Sequence, residues 1–506
     1  MSTSLTAISP RESARARRRQ FTRNGIPVPQ KPDDPLPKQI ITTPRFWLFV
    51  VALMIDAVCL TLLYFQIVPD RQVPGGTLVG LGNEAVPIAL RYAAFSVIPL
   101  TILFVWVDRF RPQRFFIWLV TFGWGACVAT YLAANINSWA AAHLSILGDG
   151  DPASAARAAI YVAPWVEEAC KGTIVFWLAI LMRYQIVSRI SGVVLAGLSA
   201  SAFAFVENAL YYGRIYREAA RTYGAAEPMT YVHQLFFQRG VLTCFAHPLF
   251  TSMTGMGLAI ALRSKSKVVR VVAPLAGYTL AALLHMTFNT TVTFVQGPTL
   301  IFMYVMALSL VAGVVIFVLR GLLAQGRLIR SRLGDYVRMG WLPDTDPVAF
   351  SRMRTRYRAL WQSLFTGFQG WWDTVRIQRS ATELAYLRDS IVRGIVDQGG
   401  LQREKDLFAK IRQLRFRAVV VPAARASYPD LRGRLRRNRP ASGYAAPSYP
   451  GPAGIGGSWP APSAGGWAPP PGPSWAPPAA APGAAPLGPA ATKFSEVNPT
   501  WGPPAG

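Results

Sequence analysis

Acidic residues are scarce in this chain: 25 Asp and Glu stand against 52 Lys and Arg in 506 residues. Charge as a whole is thin, at 15% of residues, where soluble domains carry about 25%. Cysteine is nearly missing, and all four (Cys59, Cys127, Cys170, Cys244) fall inside long apolar runs. A disulfide framework is therefore not expected, and the lack of any C-x-x-C pair removes the commonest thiolate metal spacing. Roughly 45 polar residues precede the first apolar run, so no cleavable signal peptide is expected.

What the chain has instead is apolar length, with 52% hydrophobic residues. Runs of about 20 residues, enough to cross a bilayer, occur near 46–68, 85–107, 115–141, 159–182, 190–213, 241–262, 271–295 and 300–319. The expected fold is all-α: a polytopic bundle of about eight transmembrane helices, with a cytoplasmic helical extension and disordered tails. The net charge of +27 is not spread as a nucleic-acid site would need. It crowds the N-terminal arm (Arg15, Arg17, Arg18, Arg19), alternate short connections (108–114, 183–189, 263–270) and the region after Arg320. Alternation of this kind is the positive-inside pattern. It predicts a multi-pass protein of the plasma (inner) membrane, with both termini cytoplasmic, the lipid bilayer as partner and no nucleic acid.

Four regions follow. Residues 1–45 are basic and proline-punctuated, and read as a disordered cytoplasmic arm. Residues 46–319 form the transmembrane domain. Residues 320–421 are polar and amphipathic; the stretch from Arg379 to Arg415 reads as a helix, a Gly399-Gly400 turn and a second helix, with Leu384, Leu387, Ile391 and Ile395 on one buried face. Residues 422–506 are a Pro/Ala/Gly-rich tail that cannot build a core.

The chemistry lies in polar residues that lipid would reject. A charge at mid-membrane costs about 2.5–3.5 kcal/mol on insertion scales. The fourth run, "APWVEEACKGTIVFWLAILM", nonetheless holds Glu167, Glu168 and Lys171. The fifth holds Glu207 and Asn208, the sixth His247 and Thr251, the seventh His285 and Asn289. Glu167 and Lys171 share a helix face, as do His285 and Asn289, each pair being four apart. Counting at 1.5 Å per residue places Glu167, Glu207, His247 and His285 in one layer roughly 9–15 Å below the outer surface. Asp56 and Arg91, in the first two runs, read as a separate structural pair. The 214–240 connection, with Tyr223, Tyr231, Phe236 and Phe237, reads as an interfacial loop suited to guiding a substrate.

Carboxylates beside a lysine in a dry pocket can serve as a base towards water. A histidine and an asparagine on a facing helix can donate to a developing oxyanion. These parts suffice to hydrolyse a peptide bond without a nucleophilic side chain.

At these residues the sequence resembles the PrsW family of intramembrane proteases, which belongs with the CAAX prenyl endopeptidase and bacteriocin-processing superfamily. The family pattern of EExxK, FxxxEN, His with Thr four places on, and HxxxN or HxxxD is matched in order. Here it reads Glu167-Glu168-Ala-Cys-Lys171, Phe203-Ala-Phe-Val-Glu207-Asn208, His247-Pro-Leu-Phe-Thr251 and His285-Met-Thr-Phe-Asn289. The resemblance implies cleavage of membrane-associated proteins near the extracytoplasmic face, with an anti-sigma factor-like membrane protein as substrate. It implies Glu167 as general base, Glu168 as its partner, Lys171 tuning both and Glu207 as a water ligand. His285 and Asn289 would form the oxyanion site, and His247 would orient water or bind metal. Members are commonly called metalloproteases, and His247, His285, Glu168 and Glu207 offer a zinc donor set. Without an HExxH, and with the related CAAX endopeptidases working as glutamate proteases, no cofactor is the favoured reading and zinc the alternative.

Other chemistries fit less well. "GDGD" (148–151) sits before a proline in a loop, whereas aspartyl intramembrane proteases need their aspartates in helices. "GLSA" (197–200) falls short of the rhomboid GxSG, so Ser199 reads as a packing residue. A proton-coupled transporter also places Glu, Lys and His at mid-membrane, but no internal repeat is visible. A catalytically silent scaffold of the same superfamily is the third class, and it sits badly with four intact motifs.

Overall fold

The computed structural model describes residues 41–73, 76–78, 80–144, 156–182, 186, 188–223, 228–394 and 398–421. The expectations for the N-terminal arm, the 148–151 loop and the C-terminal tail fall on other residues. The architecture is an all-α polytopic membrane protein. Its membrane helices are α1 (Pro44–Ile67), α2 (Gly82–Val107), α3 (Phe115–Gly123), α4 (Thr130–Leu144), α5 (Ala163–Leu181), α6 (Arg189–Tyr223), α7 (Pro228–Leu235), α8 (Ala246–Leu262), α9 (Lys267–Phe294) and α10 (Gly297–Arg338). The extension adds α11 (Asp346–Ser351), α12 (Met353–Leu364), α13 (Gly367–Val392) and α14 (Gln398–Arg415). A short antiparallel hairpin, Arg71–Val73 with Gly76–Leu78, fills the turn between α1 and α2.

Among the described residues, seven helical spans are long and apolar enough to cross a membrane. The eighth expected span is present as α5, and its three ionisable groups set it apart by composition. Two spans contain π-helical turns: Trp124–Ala129 joins α3 to α4, and Phe236–Leu242 leads towards α8. A third π turn, Ala158–Val162, runs into α5.

Helices α6 and α8 form the buried centre, while α1, α2, α9 and α10 turn large apolar side chains outward, including Phe95, Ile102, Val271, Leu275, Ile301 and Phe302. The outward set suits lipid, where helices gain nothing from hiding apolar groups from one another. Contact between α6 and α8 depends instead on small residues. A Cβ added at Gly192 would overlap the Gly255 carbonyl, and one at Gly255 would overlap that of Gly192. Gly125, in the first π turn, lies as tightly against the Ser199 carbonyl of α6. The three elements therefore approach backbone to backbone, which fixes the polar side chains on α6 and α8.

Four expectations are corrected. The last span does not end near 319; α10 continues unbroken to Arg338, because the polar residues after Arg320 keep helical spacing with Leu322, Ile329, Leu333 and Tyr336 buried. Gly399 and Gly400 lie in the first turn of α14 instead of forming the turn; α13 ends at Val392, and Gly394 beyond it takes a positive φ of 63°. The 214–240 connection is mostly helix, not loop, since α6 runs on to Tyr223 and α7 and a π turn follow the four-residue gap after it. Of the four aromatic residues expected there, Phe236 packs edge-on to Tyr92 at 5.2 Å, Phe237 is exposed, and the side chain of Tyr223 lies outside the described set. Finally, Asp56 and Arg91 do not pair: Asp56 is buried with neither carboxylate oxygen hydrogen-bonded, and Arg91 is exposed.

The extension is packed onto the bundle. Leu322, Ile329, Leu333 and Tyr336 of α10 share one apolar core with Ile377, Leu384 and Leu387 of α13 and with Leu407, Ile411 and Leu414 of α14. Val107 and Phe110 at the end of α2, and Ile190 and Val194 at the start of α6, belong to the same core. Asp389 of α13 gathers Arg263 at 3.2 Å, Arg332 at 3.1 Å and Arg393 at 3.3 Å. The connections 108–114 and 263–266 thus emerge on the side that carries the extension.

Candidate active site

Helix α5 opens with Pro164 in its first turn, where a missing N–H costs nothing. One turn later Glu167, Glu168 and Lys171 all point inward, and Glu168 and Lys171 are fully buried. The Lys171 ammonium donates to Glu168 Oε1 at 2.8 Å and lies 3.4 Å from Glu167 Oε2. It is 2.9 Å from His247 Nδ1 on α8 and 4.3 Å from the centroid of the Phe203 ring on α6. This is how the mid-membrane lysine is tolerated: two carboxylates, an imidazole and an aromatic face replace its water.

Glu168 is bound on every side. Besides Lys171, it accepts from Thr251 Oγ1 at 2.6 Å and lies 3.1 Å from His285 Nδ1 on α9. Glu167 is held less fully. Asn137 of α4 donates to its Oε1 at 3.2 Å, while its Oε2 faces His285 Nε2 across 3.9 Å. On α6, Glu207 lies 2.6 Å from His247 Nε2 and 3.0 Å from the guanidinium of Arg239. Arg239 also donates to Asn208 Oδ1 at 3.1 Å and stacks on the Tyr211 ring at 3.9 Å. The two imidazoles meet edge to face, with centroids 5.1 Å apart, and Phe250 stacks on His285 at 5.2 Å.

The network assigns both histidine tautomers. Lysine can only donate, so neutral His247 accepts at Nδ1 and carries its proton on Nε2, facing Glu207. Glu168 accepts from the Nδ1–H of His285, and in the neutral ring that leaves Nε2 with a lone pair towards Glu167. Charge balance adds a second constraint. Three carboxylates face two permanent cations, Lys171 and Arg239, so the fully ionised cluster carries one surplus negative charge. A dry site favours a proton or a metal cation to offset it.

A metal donor set exists: Glu167, His247 and His285 offer ligand atoms within 4.8 Å of one another. Two histidines and a glutamate with an open position match a catalytic zinc site in ligand type and number. His285, with Glu168 behind its Nδ1, has the carboxylate backing common to metal-bound imidazoles. His247 would have to exchange Lys171 or Glu207 for the ion, since both its nitrogens are engaged. The group differs from the expected donors, because Glu168 is consumed by three partners and Glu207 by Arg239 and His247.

Of the expected site residues, Glu167, Glu168, Lys171, Glu207, His247 and His285 come together. Asn289 does not join them; its amide donates to the Ala159 carbonyl at 2.8 Å. Ser199 donates to the Lys171 carbonyl at 3.0 Å and so holds α6 to α5. Arg239 and Asn137 were not foreseen. A lone arginine in "FFQRGVL" and the asparagine pair in "NINSW" were the available signals.

Residues 113–319 match the family model described as PrsW family intramembrane metalloprotease. No curated protein and no solved structure matches the chain.

Proposed function

From the premise that the domain spanning residues 113–319 belongs to the PrsW family of intramembrane proteases, we propose that Glu167 activates the hydrolytic water of a peptide-bond-cleaving site. The observation that carries this reading is the 3.9 Å gap between Glu167 Oε2 and His285 Nε2. Both sides are acceptors and both are held from behind, Glu167 by Asn137 and His285 by Glu168. A water donating one hydrogen to each suits that gap, with its oxygen lone pair free for attack.

The water oxygen bonds to the scissile carbonyl carbon while Glu167 takes its proton. Collapse of the tetrahedral intermediate breaks the C–N bond, and Glu167 returns the proton to the departing amine. Lys171 offsets the charge of the Glu pair throughout, and Glu207 with Arg239 holds His247 in place. His285 holds the water through its Nε2 lone pair, and Asn289, spent on Ala159, offers no donor to the oxyanion. A divalent ion held by Glu167, His247 and His285 would supply Lewis-acid polarisation of the carbonyl or water.

The site lies towards the membrane face opposite the extension. His247 is the second residue of α8, about 22 Å of helix from Leu262 at the extension side. With the basic connections in the cytoplasm, the cut falls near the extracytoplasmic face of the plasma membrane. A membrane-anchored protein such as an anti-sigma factor is a substrate of the right kind.

The test is cleavage of a single-span reporter by purified, reconstituted protein. Glu167→Gln keeps the Asn137 contact but loses the base, and should lower the rate by about 10²–10⁴-fold at unchanged protein yield. Glu168→Gln should lower both rate and yield, because three buried donors lose their anion. Wild-type rates in Glu167→Gln would refute the assignment. Stoichiometric zinc in active protein, with activity lost on stripping and restored on return, would move the reaction to the metal reading.

A further inference from the structure

One surface of the extension is neither packed nor polar. Tyr357, Trp361, Leu364 and Phe365 follow one another along the exposed side of α12, and Phe368 and Trp372 continue the stripe into α13. The exposure is extreme at the turn, 80% for Phe365 and 78% for Phe368. Residues three, four and seven apart share a helix face, so these rings form one patch at the tip of a helical hairpin. Contiguous exposed apolar groups on this scale mark an interaction surface.

Position and charge indicate the occupant. Arg379 of α13 donates to the Pro112 carbonyl, and Asp389, ten residues on, is held by Arg263. Pro112 and Arg263 both stand at the ends of membrane helices, so α13 lies across that face of the bundle, bridging roughly 15 Å. From Arg379 the helix runs back eleven residues to Phe368, roughly 16 Å beyond the 108–114 connection. Helix α12 accompanies it, with Arg356 placed 5.9 Å from the centroid of the Phe110 ring. That connection is itself peripheral, since Trp106 before it and Phe115 after it are 48% and 74% exposed on the outer surface of α2 and α3. The tip therefore continues the lipid-facing surface of the bundle at headgroup height. Between Pro347 and Trp372 the chain has no acid, and Arg354 and Arg358 are exposed there while Arg356 is buried; the two exposed cations complement anionic headgroups.

We propose that the α12–α13 tip is a membrane-surface anchor, its rings set into the interface of an anionic bilayer on the extension side. Aromatic side chains favour that zone because one end is apolar and the other tolerates water.

Full-length protein with its four cysteines replaced by alanine, and a single cysteine at 365 or 368, would carry an environment-sensitive fluorophore in vesicles containing phosphatidylglycerol. Labels at Phe115→Cys and Lys405→Cys supply the lipid and water references. Labels at 365 and 368 should be quenched by a shallow lipid-attached nitroxide at least half as strongly as the label at 115. Aqueous iodide should quench them at least threefold less than the label at 405. Arg354→Gln with Arg358→Gln, or wholly zwitterionic lipid, should weaken the nitroxide effect. Iodide quenching equal to that at 405 would leave the tip in water and overturn the anchor. Shielding from both quenchers would overturn it in favour of protein cover, by a second copy or another segment of this chain. Unaltered protein offers an independent readout: amide exchange across 361–372 should be slower in anionic than in zwitterionic vesicles, and equal rates count against the anchor.

Discussion

Asn289 and Arg239 depart from what spacing suggests in opposite directions. Four residues beyond His285, Asn289 occupies the position for a second donor, yet its amide is committed to Ala159. Arg239 belongs to no motif and reaches the cluster through a π-helical turn, where it ties Glu207 to Asn208. Asn289→Ala should therefore cost less than about tenfold in reporter cleavage, where loss of a true oxyanion donor costs about 10²–10³. Arg239→Met leaves Glu207 buried without its cation and should lower cleavage by more than tenfold, with partial rescue by Arg239→Lys. Parallel rates for Asn289→Ala and Arg239→Met would contradict this ordering. The six clustered residues were legible in the sequence because three ionisable groups in one apolar run, and single ones in three others, have no cheaper explanation. Arg239 was not legible: its partners lie on α6, and helix periodicity does not report which residues of separate helices meet.

At the scale of elements, glycine settles how the polar helices approach. Gly192 and Gly255 press against each other's carbonyls, and the faces that follow carry Glu207 and His247. Gly255→Leu should force α6 and α8 apart and reduce folded protein in detergent, read as a fall in melting temperature. Gly313→Leu, on the open lipid-facing part of α10 with nothing near its Cβ position, should leave it unchanged. Equal melting temperatures for the two variants would show that the α6–α8 contact is not a packing constraint. Where the membrane helices begin was readable to within about five residues from apolar length alone, but not where α6 and α10 end, at Tyr223 and Arg338. The π turns were not, since no residue type marks them, and the continuity of α10 was hidden by the change to polar composition at Arg320.

For the whole molecule, the extension and the membrane bundle are joined by shared packing and by charge. Asp389 receives arginines from the α8–α9 connection, from α10 and from its own helix. Asp389→Asn should leave three cations short of an anion and loosen the extension. Limited proteolysis between 320 and 421 should then proceed several-fold faster than in the parent protein, and unchanged kinetics would assign the docking to the apolar core alone. The helical hairpin character of this region was legible from Leu384 and Leu387, both buried. Its attachment was not, because Val107, Phe110, Ile190 and Val194 look in sequence like ordinary span ends.

Because α10 passes from bilayer to extension as one helix of 42 residues, the two parts are held in rotational phase. Adding a single residue near 320 would turn everything after it by about 100°, carrying Ile329, Leu333 and Tyr336 away from their core. Adding four would turn it by about 40°, close to one full turn, while lifting the extension about 6 Å from the bundle. At this junction length and angle are a single quantity, and neither can drift without the other.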